Sequence, residues 1–178
     1  MNLSIAVFGS SIPKEGEYEY EYAKRLGYLI GEKGWKVITG GYQGIMDAVS
    51  YGCAEAKSEA LGVTVKTFSS IPSRWLTKEI KTENIFHRLE KLITLADAYI
   101  ILPGGTGTLV ELSLAWECIN KNICFKKPLI CYKSGWERIV VIIKEILNKE
   151  NRNSDFVFLF EKPEEAIKII YNFYKERL

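Results

Sequence analysis

The sequence has one histidine, two methionines and five prolines in 178 residues, and neither sign of charge dominates: 24 Lys and Arg stand against 22 Asp and Glu, a net charge of +2. Each scarcity removes a class of function. His87 is the only imidazole, and Cys53, Cys118, Cys124 and Cys131 form no CxxC pair. A zinc site or a Cys-His nucleophile is therefore disfavoured, and reduced, mostly buried thiols are expected. No apolar run reaches the roughly 18–20 residues of a membrane span, and the N-terminal MNLSIAVFGSS lacks a basic leader region. No membrane partner and a cytoplasmic location are the expectation. The basic residues are scattered, which gives no general attraction to polyanions, so nucleic acid is not an expected partner.

What is present reads as one globular unit over residues 1–178, since 47% hydrophobic residues can form a core and roughly 100–200 residues make one domain. Short Ile- and Val-rich runs alternate with longer stretches of helical periodicity, the pattern of βαβ units. Strands are predicted near 3–8, 35–38, 61–66, 97–102, 128–132 and 156–159, and helices near 17–33, 44–58, 83–95, 107–121, 136–148 and 163–176. Runs such as Ala98-Tyr99-Ile100-Ile101-Leu102 are apolar without alternation, as strands covered on both faces must be. The expected fold is α/β: a doubly wound, mainly parallel, Rossmann-like sheet with helices on both faces. Ligands bind such sheets beyond the carboxyl ends of the strands, where the strand order reverses.

Three strand-to-helix loops carry candidate chemistry. Gly9-Ser10-Ser11, after the first strand, combines close backbone approach with two hydroxyls, or is simply a tight turn without the GxGxxG spacing. Thr39-Gly40-Gly41-Tyr42-Gln43-Gly44, after the second, lets backbone N–H groups meet a ligand with no Cβ in the way. Pro103-Gly104-Gly105-Thr106-Gly107-Thr108, after the run at 97–102, is the strongest signal: a sharp turn opening a helix whose unpaired N–H groups and positive dipole end suit a phosphate monoester. No Lys follows these glycines, so this is not the loop of a magnesium-dependent triphosphatase. Glu111 has two readings: a carboxylate one turn into a phosphate-binding helix, or the second half of a capping box with Thr108. Arg88, flanked by Glu90 and Lys91, reads by itself as part of a solvated helix face.

The motif Pro103-Gly104-Gly105-x-Gly107-Thr108-x-x-Glu111, with the upstream glycines and Arg88 fifteen residues before Pro103, resembles the LOG family of cytokinin-activating phosphoribohydrolases. The resemblance runs from Ile5 to about Asp155. It implies a Rossmann-like fold, a homodimer, and hydrolysis of the N-glycosidic bond of a nucleoside 5′-monophosphate, AMP or its N6-modified forms, to free base and ribose 5-phosphate. It implies no pyridoxal phosphate, no other cofactor and no metal. Carried over by position, it makes Arg88 and Glu111 the catalytic pair and Gly104, Gly105, Thr106, Gly107 and Thr108 the phosphate cradle, with Gly9, Ser10, Ser11, Gly40, Gly41 and Gly44 as further nucleotide contacts. The sequence departs at Leu89, where the family often has Lys, and at Thr39, where it often has Gly.

These residue types suit the chemistry. Breaking a ribosyl C–N bond builds positive charge on the sugar, which a fixed carboxylate stabilises while orienting water. An Arg beside Glu111 is expected to favour its ionised form near neutral pH. His87, about 100° around the helix from Arg88, reads as a surface residue. Arg74 and Trp75 can clamp a ligand or belong to a surface loop. Trp116 and Phe125 lie in the core or at a dimer contact. Two rivals of other classes stand beside the hydrolase: a carrier that holds a nucleotide-containing cofactor intact, as molybdenum-cofactor carriers of this fold do, and a single-strand DNA module like the DNA-processing protein A group, which needs a basic stacking groove.

Overall fold

A computed structural model describes residues 1–176. The chain runs β1 (Ser4–Phe8), α1 (Tyr18–Glu32), β2 (Lys36–Thr39), α2 (Ile45–Glu55), β3 (Ala60–Val65), β4 (Lys78–Thr82), α3 (Ile85–Thr94), β5 (Ala98–Ile101), α4 (Thr106–Asn120), β6 (Leu129–Tyr132), α5 (Lys133–Lys149), β7 (Val157–Phe160) and α6 (Pro163–Lys175). The strands form one sheet in the order β4-β3-β2-β1-β5-β6-β7, with every neighbouring pair parallel. The chain moves outward one way from β1 to β4, then returns to the far side of β1 to place β5. The switch point therefore lies between β1 and β5, and both strands end there in glycine-bearing loops.

Alternation within β1 assigns the two cores. Ile5 and Val7 face α1, α2 and α6 through Leu26, Ile30, Val49 and Ile170, whereas Ala6 and Phe8 face α3, α4 and α5 through Leu92, Leu112, Trp116 and Val140. Burying each such side chain contributes roughly 1.5–3 kcal/mol. Trp116 belongs to the second core, while Phe125 is exposed. The last helix opens as its sequence leads one to expect, with Pro163 in its first turn and the Glu165 carboxylate accepting from the backbone N–H groups of Glu161 and Lys162. Among the described residues no helix is long and apolar enough to cross a membrane.

The sheet has one strand more than the sequence predicts. β4, Lys-Glu-Ile-Lys-Thr, is an edge strand exposed over most of its length. It carries no hydrophobic run because most of its side chains face solvent, and its lysines discourage pairing along the open edge.

Candidate active site

The β1 and β5 loops are tied together before any ligand is considered. Ser10 N–H donates to Pro103 O at 2.9 Å, and Ile45 N–H, the first of α2, donates to Ser10 O at 2.8 Å. Gly44 makes the second contact possible: its φ is +72°, and a Cβ there would overlap the backbone of Ser10 and Ser11. Three loops thereby close around a cavity of about 320 Å³ at the switch point.

Helix α4 forms one wall. Its N-cap is Gly105 and its first residue Thr106, three positions earlier than a Thr108 cap requires. Thr108 is thus inside the first turn and Glu111 is nearly two turns in, too far to bond back to the helix start. The capping box does not form. The N–H groups of Thr106, Gly107 and Thr108 are those that an α-helix leaves without an internal acceptor, and all three residues line the cavity. A Cβ at Gly105 or Gly107 would meet nothing within 4 Å, so these positions border open space rather than packed chain.

Helix α3 supplies the opposite charge. Asn84 caps it, accepting from Phe86 N–H and His87 N–H at 3.0 Å. Arg88 is only 8% exposed, so the solvated-face reading does not hold. Its Nε donates to Val63 O at 2.9 Å, its Nη2 lies 3.9 Å from Met46 Sδ, and its guanidinium is 5.9 Å from the centre of the Tyr42 ring. A Cβ at Gly40 would overlap Nη2 of Arg88, so the glycine of the β2 loop acts here as space for the guanidinium. Arg88 Nη1 stands 3.6 Å from Glu111 Oε1, an ion pair with both residues facing the cavity.

Glu111, 7% exposed, has its carboxyl pushed up to about 7 because burial outweighs the opposing pull of Arg88. Arg88 pulls toward the ionised form, as expected, but burial is the larger effect. Burial also lowers the Arg88 guanidinium, while Glu111 and Tyr42 oppose that. An arginine still stays cationic at neutral pH. The site is therefore a fixed cation beside a carboxyl poised to change protonation where a general base works best.

Of the residues expected from the sequence, Gly9, Ser10, Ser11, Gly40, Arg88, Gly105, Thr106, Gly107, Thr108 and Glu111 line this cavity together. Gly41 and Gly104 stand behind the lining: Gly41 O accepts from Ser73 N–H at 2.9 Å, and Gly104 packs against Thr108 and Ser10. Gly44 lines a second, adjacent cavity. His87 is exposed and lines neither. Trp75 is taken up in a stack on Tyr51, centroids 4.0 Å apart and 2° from parallel, so it does not clamp a ligand in the cleft. Val7, Phe8, Ile12 and Met46 complete the lining.

A model of the SLOG cluster4 family matches residues 2–167. A cytokinin riboside 5′-monophosphate phosphoribohydrolase of Mycobacterium tuberculosis is 30% identical over 116 residues, 64% of this chain and 62% of that protein. A pyrimidine/purine nucleotide 5′-monophosphate nucleosidase of Escherichia coli K12 is 31% identical over 120 residues, 62% of this chain and 26% of that protein. The matches thus span less than two thirds of these relatives' own lengths. Among solved structures, the molybdenum cofactor binding protein of Rippkaea orientalis superposes with a TM-score of 0.74 at 25% identity, over 98% of both chains.

Proposed function

We propose, from the premise that this chain belongs to the SLOG cluster4 family and is of the LOG type, that its cleft hydrolyses the N-glycosidic bond of a nucleoside 5′-monophosphate. The observation that carries the reading is the buried Arg88–Glu111 pair facing a cavity floored by the open N-terminus of α4. The 5′-phosphate sits on the N–H groups of Thr106, Gly107 and Thr108, with the Ser10 and Ser11 hydroxyls on its other side. That placement brings C1′ of the ribose toward Glu111. As the bond from C1′ to the base nitrogen breaks, its electron pair leaves with the base, and the sugar's positive charge is stabilised by the ionised carboxylate. Water adds to C1′ and loses a proton to Glu111, the base anion takes up a proton from water, and Glu111 returns its proton to solvent, so that free base and ribose 5-phosphate leave. Arg88, held by Val63 O, keeps the carboxylate in place and lowers the cost of ionising it. AMP and N6-modified AMP are the substrates that the LOG resemblance implies. A homodimer belongs to the same proposal, and nucleic acid, a membrane and a metal do not.

Because the ionised form of Glu111 does the work, kcat/KM is expected to rise with pH and level off above about 7, falling roughly tenfold per unit below it. Initial rates of base release between pH 5.5 and 8.5 test this, and a flat profile would remove Glu111 from the chemistry. The cradle has its own test. Gly105 has an ordinary φ of −93° and open space at its Cβ, so Gly105→Val should fold normally and fill the phosphate position. Affinity for a nucleoside monophosphate should drop at least about a hundredfold by calorimetry, given the strength of charge-assisted hydrogen bonds. Unchanged affinity would place the phosphate elsewhere.

One observation favours a second reading, a carrier. The Rippkaea orientalis structure, titled as a molybdenum cofactor binding protein, matches end to end, whereas the hydrolase relatives match over about two thirds of this chain. A carrier returns its ligand intact, and a hydrolase does not.

A further inference from the structure

Helix α4 opens at the cavity and ends at Asn120, far from it. Just past that end, Asn122 takes the left-handed conformation, φ +55°, which asparagine tolerates better than most residues with a side chain. Ile123 N–H thereby returns to Cys118 O at 2.9 Å and Asn122 N–H to Ile119 O at 3.1 Å, the paired bonds of a Schellman motif. Cys124 N–H also reaches Cys118 O, at 3.1 Å, so the chain folds back onto the residue six positions earlier. The side chains meet as well. The Cys118 and Cys124 thiols are hydrogen-bonded to each other, and the Tyr99 hydroxyl, whose proton goes to Ile93 O at 2.7 Å, bonds the Cys124 thiol too.

All four cysteines are free thiols, and exposure separates them. Cys53 and Cys131 are fully buried, Cys118 is 9% exposed, and Cys124 is half-buried between the exposed Ile123 and Phe125. Burial is the main cause that lifts the Cys118 thiol above its ordinary range; Cys124 and Glu117 add to it, and the buried Lys127 ammonium opposes them. Among the described residues no third His, Cys, Asp or Glu joins the pair, which falls short of a zinc-binding set.

We propose that Cys118 and Cys124 form a redox modification site, a dithiol that closes to an intramolecular disulfide by exchange with a low-molecular-weight disulfide and reopens with a thiol. The exposed thiol reacts first. The Cys124 thiolate attacks one sulfur of the reagent RSSR, forming a mixed disulfide and expelling RS⁻. The Cys118 thiolate, with the Lys127 ammonium beside it, then attacks the Cys124 sulfur and expels the second RS⁻. The protein loses two protons and two electrons, and RSSR leaves as two RSH. A disulfide needs Cα atoms roughly 4.4–6.8 Å apart and side chains aimed at each other, and the helix cap meets that need before any oxidant arrives.

The site is independent of the chemistry proposed for the cleft, and its test reads sulfur alone. Dilute purified protein is treated with oxidised glutathione, its remaining thiols are alkylated in denaturant, and it is digested with trypsin without reduction. Trypsin cuts after Lys91, Lys121 and Lys126, so Cys118 and Cys124 fall in separate peptides, 92–121 and 122–126, that only a disulfide can hold together. The expected result is a linked pair of these peptides, two of the four thiols lost, and full recovery of both with dithiothreitol. Cys118→Ser removes the resolving thiol, so glutathione should remain on Cys124 at least about tenfold more than in the wild type. The oxidised protein should melt no lower than the reduced one, because the bridge fits the existing turn. Four alkylatable thiols after treatment would overturn the proposal. So would glutathione retained on wild-type Cys124 as fully as on Cys118→Ser, a link between two chains instead of within one, or a lower melting point on oxidation.

Discussion

Glu111→Gln should lower kcat on a nucleoside 5′-monophosphate by roughly 10²–10³ while the protein keeps its fold and its affinity for the intact nucleotide. The magnitude follows from what the residue supplies. An amide has the same shape, but it neither carries the negative charge that stabilises the ribosyl cation nor accepts a proton from water. The fold should tolerate the change because Glu111 is not a helix cap: α4 starts at Thr106 with Gly105 before it. A difference in the pH dependence of stability is also expected. A carboxyl raised from 4.5 to about 7 holds its proton in the folded chain where the unfolded chain has lost it. The resulting stabilisation is complete below about pH 4.5 and is lost as pH climbs to about 7. Glu111→Gln removes that slope, so chemical denaturation at pH 5 and pH 8 should differ less in the variant than in the wild type. Loss of folding in Glu111→Gln would contradict this account of the helix.

Arg88→Met should act through Glu111. Methionine fills the same channel between Gly40, Met46 and Val63 without the charge, so the main consequence is that nothing offsets the burial of the Glu111 carboxylate. The carboxyl should move further above 7, and at pH 7 most of the protein should carry it neutral and inactive. Removing one partner of a buried pair is severe when the other stays charged, but here the other can take up a proton, so a folded protein is expected. The predicted result is a drop in kcat/KM of roughly a hundredfold at pH 7, partly recovered at higher pH as the rising limb shifts. A uniform loss across pH would show Arg88 acting on the substrate directly instead of through the carboxyl.

The sheet was legible in the sequence where its strands are mostly apolar, because β1, β2, β3, β5, β6 and β7 each appear as an apolar run. Edge strand β4 was not, since its Lys and Glu residues look like loop. The glycine loops that border the cavity were legible, because turns with missing Cβ atoms are a local property. Burial of charge was not legible, being a property of the whole. Arg88 sits among Glu90 and Lys91, and only its i, i+4 relation to buried Leu92 marks it as facing inward. The Thr108–Glu111 spacing fits a capping box, yet the turn at Gly104 and Gly105 starts the helix early and turns Glu111 into the cavity. The protonation of Glu111 could be found only in the fold, where burial and Arg88 compete.

Glu111 is expected to drive cleavage of a ribosyl–base bond in a bound nucleoside monophosphate. The most direct measurement incubates the purified protein and its Glu111→Gln variant with a panel of nucleoside 5′-monophosphates, then quantifies free base and ribose 5-phosphate by chromatography and mass spectrometry. Equimolar base and ribose 5-phosphate are expected from the wild type and almost none from the variant. Intact nucleotide recovered stoichiometrically from both proteins would contradict it and leave the cleft as a carrier's.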